Sequence, residues 1–479
     1  MTLARYSPWI DGAALPAAGR AFDTVLSPQS GQAAAEVARG TEEDFERAVA
    51  AAESAFATMR AMPRHARRDL LVRISAALES RRQEFGAAIA QSCGKPISQA
   101  LGEVDRAIIT FSLAADEARR FGGEVIPLDL DSRAAGMDGL VHRFPVGPVS
   151  AITPYNFPLN LLVHKVAPAI AVGTTLVVKP PPQCPQLAFM LGELMAGCGL
   201  PAGAYNVVHL PIPLAERLAT DPRFRMLTFT GSPAVGWHLK SVAGKKKVVL
   251  ELGGNAAAVV HEDAGDLDWV AARLALGAFA YAGQVCIKVQ RVLVHSPIYD
   301  SFAAKFTAAT AALAVGDPMD PKTVVGPLID KGAADRVESW IEEALAAGAK
   351  ALLRGKRQGN TLGPTVLSNV PREAKVSCRE VFGPVATIAP YRDWAEALAM
   401  VNDSDFGLQA GVFTHDINRI YQAFNTLEVG GVIVNDFPTL RVDNFPYGGV
   451  KDSGFGREGI RYAMEDMSEM RMLVLNLNK

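Results

Sequence analysis

An α/β fold with two open, twisted sheets and one small β-hairpin is what the sequence predicts, and three observations carry that expectation. From residue 148 onward, short apolar runs alternate with longer amphipathic ones, the rhythm of strand–helix repeats. The strand runs are rich in Val and Ile and hardly alternate with polar residues, as parallel strands buried on both faces require. The chain has 479 residues, which at roughly 150 residues per domain leaves room for about three units.

Taken in order, the N-terminal MTLARYSPWIDG lacks the continuous apolar core of a secretory signal. Residues 41–121 read as helical. Thr41 and Asp44 have the spacing of a capping box, and TEEDFERAVAAAESAFATM follows with apolar residues at helical intervals. Pro63 suits the first turn of the next helix, whose arginine-rich run reads as a solvated face. In 122–147, GGEVIPLD and GLVHRFPVG flank a polar turn and predict a hairpin that projects from the helical body. Strands then fall at PVSAIT, TLVVKP, YNVVHL, RMLTFTG and KKVVLEL, with helical runs such as LNLLVHKVAPAIAV and PAVGWHLKSVAG between them. A second α/β region over about 253–455 opens with the helical DLDWVAARLALGAFAYAG and the strand RVLVH. The C-terminal RMLVLNL is a bare apolar strand that must pair with another sheet, in this chain or in another subunit.

Composition excludes several classes of function. Forty-eight Lys and Arg against 50 Asp and Glu give a net charge of −2, so the basic field of a nucleic-acid or anionic-membrane binder is missing. Lys245, Lys246 and Lys247 form one local basic run, read as a solvated turn. With 49% hydrophobic and 20% charged residues the chain is globular in character. The apolar stretch at 157–178 is broken by His164, Lys165 and Gly173 and makes a poor membrane span. The five cysteines are widely spaced and odd in number, which is reduced, cytoplasmic usage. No clustered Cys/His or His-Glu-x-x-His spacing suggests a metal.

Chemistry concentrates at three positions. Cys286 in YAGQVCIKVQR follows a glycine at a helix end, where a tight turn exposes side chains and aims backbone N–H groups at a ligand. Glu251 in LELGGN ends an apolar strand ahead of two glycines; it reads either as a partly buried base of raised pKa or as an exposed strand-end carboxylate. Asn156 in ITPYNFPLN is held between Pro154 and Pro158, as an oxyanion donor or as a plain turn residue.

These segments resemble the aldehyde dehydrogenase superfamily over nearly the whole chain and in the right order. The matching pieces are PYNFP (154–158), LVVKP (176–180), FTGSPAVG (229–236), LELGGN (250–255), GQVC (283–286), EVFGP (380–384), FGLQAGVF (406–413) and YGGVKDSGFGREG (447–459). The resemblance implies an aldehyde dehydrogenase-like fold. A dinucleotide-binding domain would span 1–121 and 148–252, and a catalytic domain 253–455. The hairpin 122–147 and the tail 456–479 would mediate a homo-dimer or homo-tetramer. It also implies an enzyme that oxidises a small-molecule aldehyde to the acid with NAD or NADP. Cys286 would be the nucleophile, Asn156 and the Cys286 N–H the oxyanion donors, and Glu251 the base that activates water. A thiol at its reference pKa is only about 3% thiolate at pH 7, so the site must help to ionise or orient it. The cofactor would meet Ile152, Thr153, Pro154, Lys179, Leu252 and the Gly231–Ser232 turn, with Glu380 on the nicotinamide ribose and Phe382 beside the ring. No G-x-G-x-x-G follows any strand, so a conventional dinucleotide fingerprint is lacking.

The chain departs from the family pattern at two places. Pro182 in PPPQCP stands where many NAD-preferring members carry a Glu that accepts from the adenosine ribose, so NADP is expected alongside NAD. Pro211 and Pro213 replace a glycine-rich stretch and predict a stiffer loop over the adenine end. The wording of the motifs is nearest to the lactaldehyde, phosphonoacetaldehyde and non-phosphorylating glyceraldehyde phosphate dehydrogenase branch. Arg106 and Arg441 are candidates for an anionic substrate group. Arg106 could equally lie on a helix face paired with Glu103, and a structural role is the simpler reading of Arg441. Two other functions remain open on this fold, a CoA-acylating enzyme and a catalytically silent binding protein; retention of Glu251 favours water over CoA.

Overall fold

The computed structural model describes residues 3–477. The first large sheet has eight strands in the order Gly454–Phe455, Lys247–Glu251, Met226–Thr230, Val149–Ile152, Leu176–Lys179, Tyr205–Val207, Trp9–Ile10 and Ala13–Ala14. Its five central strands are parallel, and crossover helices such as Asn160–Val172 and Gln186–Gly197 connect them. Val149–Ile152 and Lys247–Glu251 are nearly or partly apolar runs without alternation, which fits strands sandwiched between helices. The second large sheet has seven strands. Thr365–Ser368, Val385–Tyr391, Arg291–His295, Ala257–Val260, Gln409–Phe413 and Gly431–Val434 run parallel, and Lys350–Leu353 closes one edge antiparallel. The expected open α/β architecture is present, with no closed barrel among the described residues.

Helices Glu42–Ala61, Arg64–Ser80, Arg82–Cys93 and Ile97–Arg120 fill the segment read as helical. The capping box is formed: the Asp44 N–H donates to Thr41 Oγ1, and Asp44 accepts from the Thr41 N–H. Arg20 adds a two-pronged grip on the same Asp44 carboxylate at 2.6 and 2.9 Å. Lys95, in the link before helix Ile97–Arg120, forms a fully buried ion pair with Glu103 of that helix at 2.5 Å. The other Glu103 oxygen accepts from the Leu159 and Asn160 N–H groups. That carboxylate therefore fixes the end of the PYNFP turn.

The hairpin strands Glu124–Pro127 and Met137–Pro145 pair antiparallel as expected. The C-terminal strand Ser468–Asn476 finds its partner in this same chain, lying along Met137–Pro145 as the third strand. An intersubunit pairing is thus not what satisfies this side of the strand. Lys247, expected on a solvated turn, is engaged with that strand: it donates to the Ser468 carbonyl at 2.8 Å and pairs with Glu469 at 3.0 Å.

Two features lay outside the sequence reading. The first 40 residues contribute a small sheet of Arg5–Tyr6, Ala33–Ala38 and Phe22–Leu26, besides two edge strands of the first large sheet. The chain also returns late to that sheet, through Gly454–Phe455 beside Lys247–Glu251. No helix among the described residues is long and apolar enough to cross a membrane. His164 and Lys165, which break the apolar run, are both buried and hydrogen-bonded.

Candidate active site

Parallel strands leave their loops at the carboxyl edge, and four loops of the first sheet meet there: those after Ile152, Lys179, Thr230 and Glu251. The turn bearing Cys286 approaches from the second half of the chain. Tyr281 (φ 52°), Ala282 (φ 52°) and Gly283 (φ 68°) take left-handed backbone in succession. A Cβ at Gly283 would lie 2.4 Å from the Gly383 carbonyl oxygen, so glycine is required on both counts. The thiol that follows is half-buried, and its Sγ lies 3.0 Å from the Tyr447 hydroxyl. Burial pushes the Cys286 pKa up to about 11, against the lowering effect of the Tyr447 hydrogen bond.

Glu251 is 3% exposed, and neither carboxylate oxygen has a hydrogen-bond partner. Burial, reinforced by the nearby Glu458 carboxylate, raises its pKa well above the usual range. Glu251 is a buried carboxylate of raised pKa, not an exposed strand-end one. Asn156 is 4% exposed, and its Nδ2 donates at 3.0 Å to the carbonyl of Gln284, two residues before Cys286. The turn and the thiol are thereby tied together, and one Nδ2 hydrogen remains for another acceptor.

Beside this trio runs a buried ionic network that the sequence reading did not find. Lys165 Nζ bonds Glu458 at 2.8 Å, Thr230 Oγ1 at 2.8 Å and Thr228 Oγ1 at 3.0 Å. Arg441 donates to the other Glu458 oxygen at 3.1 Å, lies 3.8 Å over the Tyr447 ring, and keeps its Nε buried without a partner. Burial alone would raise the Glu458 pKa; Lys165 and Arg441 reverse this and hold it at about 2. Arg441 thus reaches the neighbourhood of Cys286 and Glu251, whose charges both act on it or on the thiol. Tyr447 and Glu458 lay inside the quoted YGGVKDSGFGREG motif, and Lys165 was the one cation in an apolar helix. Those were the available signals.

Arg106 does not pair with Glu103, which is committed to Lys95. It makes a two-pronged bond to Asp443 at 2.6 and 3.1 Å. Asp443 also contacts His164 Nε2 at 2.8 Å and Asn160 Nδ2 at 3.3 Å, so it lies at the centre of a second network.

The residues expected to meet a cofactor line the same edge. The Thr153 hydroxyl is buried without a partner, and Ile152 and Leu252 are buried beside it. Pro154 is half-buried. Lys179 is in no ion pair among the described residues, and burial lowers its pKa to about 8. Gly231 and Ser232 open the helix Pro233–Val242, whose Ser232 side chain caps no backbone N–H. Pro182 is exposed. Glu380 accepts from the Gly254 N–H at 3.0 Å, and burial raises its pKa to about 7. A Cβ at Gly253 would come within 2.5 Å of the Glu380 carboxylate, which explains that glycine. Phe382 (φ 46°) meets Tyr155 edge-on at 6.0 Å. At the opposite end of the second sheet, His261, Glu262 and His295 come within 4.8 Å of one another, with the two imidazoles stacked at 4.5 Å. Their sequence spacing gave no sign of this.

Comparison with known proteins agrees with this geometry. Residues 16–473 match the aldehyde dehydrogenase family, and the chain belongs to it. A 3-sulfolactaldehyde dehydrogenase of Priestia aryabhattai is 44% identical over 454 residues, covering 95% of this chain and 94% of that protein. Aldehyde dehydrogenase 21 from Physcomitrella patens, solved in complex with the reaction product succinate, superposes with a TM-score of 0.98 at 44% identity, covering 100% of both chains. The glyceraldehyde-3-phosphate dehydrogenase GapN of Methanocaldococcus jannaschii, solved with NADP, gives 0.91 at 37% identity, over 95% of this chain and 99% of that one.

Proposed function

We propose that this chain oxidises an aldehyde to a carboxylic acid with NAD(P)+, through a thioester on Cys286. The observation that carries this reading is the buried, unpartnered Glu251 carboxylate beside the Cys286 turn. Cys286 Sγ, once deprotonated, attacks the aldehyde carbon and gives a tetrahedral oxyanion. The free Nδ2 hydrogen of Asn156 and the Cys286 N–H donate to that oxygen. NAD(P)+, when bound, supplies the acceptor for the hydride that the tetrahedral carbon loses. Glu251 then takes a proton from water, the hydroxide oxygen adds to the thioester carbon, and the C–S bond breaks to release acid and thiol. Thr153, Lys179, Gly231, Ser232 and Glu380 would hold the cofactor, with Ile152, Pro154, Leu252 and Phe382 as apolar walls. The orphaned Thr153 hydroxyl and the uncapped helix start at Ser232 suit a ligand with ribose and phosphate groups. The segments 1–121 and 148–252 make the dinucleotide-binding domain in this reading, and 253–455 the catalytic domain.

Arg441, with its buried unpartnered Nε, favours an aldehyde that carries an anionic group. The test is absorbance at the reduced-nicotinamide band, crossing both cofactors with neutral, carboxylated, sulfonated and phosphorylated aldehydes. Turnover without added CoA is expected, with the anionic aldehydes fastest. A strict CoA requirement would overturn the hydrolytic reading.

Pro182 offers neither an acceptor for ribose hydroxyls nor a charge to repel a 2′-phosphate. NADP should therefore be used at a rate comparable with NAD. Pro182→Glu should raise the KM for NADP far more than that for NAD; equal effects would show that this position does not read the ribose.

Among the described residues no second strand lies along the outer edge of residues 469–475, where Met470 (65% exposed) and Leu473 (53%) stand. We assign this edge, with the hairpin, to assembly of a homo-dimer or homo-tetramer. Deleting residues 470–479 should give monomer or aggregate by light scattering, and an unchanged oligomer would refute the assignment.

A further inference from the structure

We propose that a pocket at the root of the hairpin sheet, apart from the candidate active site, binds a small phosphate-bearing anion. The pocket is a cavity of about 190 Å³. Four arginines line it: Arg60 at the end of helix Glu42–Ala61, Arg64 and Arg67 at the start of helix Arg64–Ser80, and Arg143 on strand Met137–Pro145. No carboxylate lines the cavity, and none of the four makes an ion pair among the described residues.

Several other arginines of the chain are matched by acids. Arg82, Arg223 and Arg273 each grip a carboxylate with two prongs. Here, Arg143 reaches only the Ser468 hydroxyl at 3.5 Å and the face of Phe121 at 5.4 Å, and Arg60 lies 5.9 Å over Phe144. The Arg67 Nε is buried without any hydrogen-bond partner. Burial, and then the like charge of Arg64, push the Arg67 pKa down to about 10. Arg60 and Arg64 are exposed, but Arg67 is half-buried beside the like charge of Arg64 with no acid partner, and its partial desolvation is uncompensated. An anion held between them removes that penalty.

Chemistry and size choose the anion. Planar guanidiniums present paired N–H donors that match phosphate oxygens, and several together suit a dianion better than a single carboxylate. The cavity is smaller than the roughly 300–1,000 Å³ of sites for larger organic ligands. Its Phe121, Phe144 and Val172 walls leave place for a short carbon chain beside the phosphoryl group. Inorganic phosphate and a small phosphomonoester share this chemistry.

The test is calorimetric titration of the full-length protein with inorganic phosphate and with glycerol 3-phosphate, at an ionic strength held constant with chloride. Saturable binding of at least one is expected. Binding of both would assign recognition to the phosphoryl group alone, and binding of the ester only would include its carbon chain. The double variant Arg64→Gln/Arg67→Gln should raise the dissociation constant at least tenfold, whereas Arg441→Gln, in the candidate active site, should leave it unchanged. Failure of both anions to bind overturns the proposal, as does binding that is lost in Arg441→Gln and kept in the double variant. If the double variant does not fold, phenylglyoxal modification of the unaltered protein decides: phosphate should protect Arg64 and Arg67 several-fold, and equal labelling with and without phosphate overturns the site. A pocket filled instead by an acidic side chain of a second copy would show no phosphate binding and a changed oligomeric state in the double variant, which also overturns it.

Discussion

Glu251→Gln is expected to complete its first turnover at near-normal speed and then to stall. Gln keeps the shape of the side chain but cannot take a proton, so thioester formation on Cys286 survives while its hydrolysis loses its base. Stopped-flow absorbance should show a burst of up to about one NAD(P)H per active site, then a steady rate lowered on the order of 10²–10⁴-fold. Cys286→Ala should show neither phase. The pH dependence carries the same information. Burial and Glu458 raise the Glu251 pKa, so the carboxylate is protonated and inactive as a base at low pH. The hydrolytic rate of the unaltered enzyme should therefore rise with pH through that raised pKa, and Glu251→Gln should lose this limb. If Glu251→Gln abolishes the burst as well, Glu251 also ionises Cys286, and the division of labour proposed above fails.

Asn156→Ala should act one step earlier, slowing the burst itself by roughly 10²–10³, the usual effect of removing one oxyanion donor. One Nδ2 hydrogen is spent on the Gln284 carbonyl, which leaves the other for the oxyanion in the proposed reaction. Asn156→Asp makes a stringent companion, because it puts an acceptor where a donor is needed and a negative charge beside a developing oxyanion. It should be at least as slow as the alanine variant. An undiminished burst rate in Asn156→Ala would leave the oxyanion to backbone N–H groups alone.

Much of this was legible in the sequence, for local reasons. Strands such as Leu176–Lys179 and Arg291–His295 announce themselves by β-branched runs, and the helices by their apolar period. Cys286 carried a local sign in the glycine turn before it, whereas Glu251 and Asn156 were singled out through the resemblance of LELGGN and PYNFP to the family's motifs. What stayed hidden depends on partners far apart in sequence. Arg106 meets Asp443 across 337 positions, and Lys165 meets Glu458 across 293. No periodicity records such pairs. The two-residue strands at Arg5–Tyr6 and Gly454–Phe455 are too short for any alternation to show. The surroundings of Arg441 were hidden as well: its ring contact with Tyr447 arises in irregular chain, where spacing gives no direction.

The late return of the chain through Gly454–Phe455 has a consequence for biosynthesis. The strand that ends in Glu251 lacks its outer neighbour until the ribosome has translated past residue 455, and Leu250 and Glu251 register against Phe455 and Gly454 only then. Helix Ile460–Asp466, whose Ile460 and Met464 join the same apolar core as Val163 and Val166, comes later still. The first sheet cannot be completed before residues 454–466 are made, and until then its edge stays unpaired. An arrested nascent chain ending before residue 454 should accordingly be more open to proteolysis around 247–251 than one extended past residue 466.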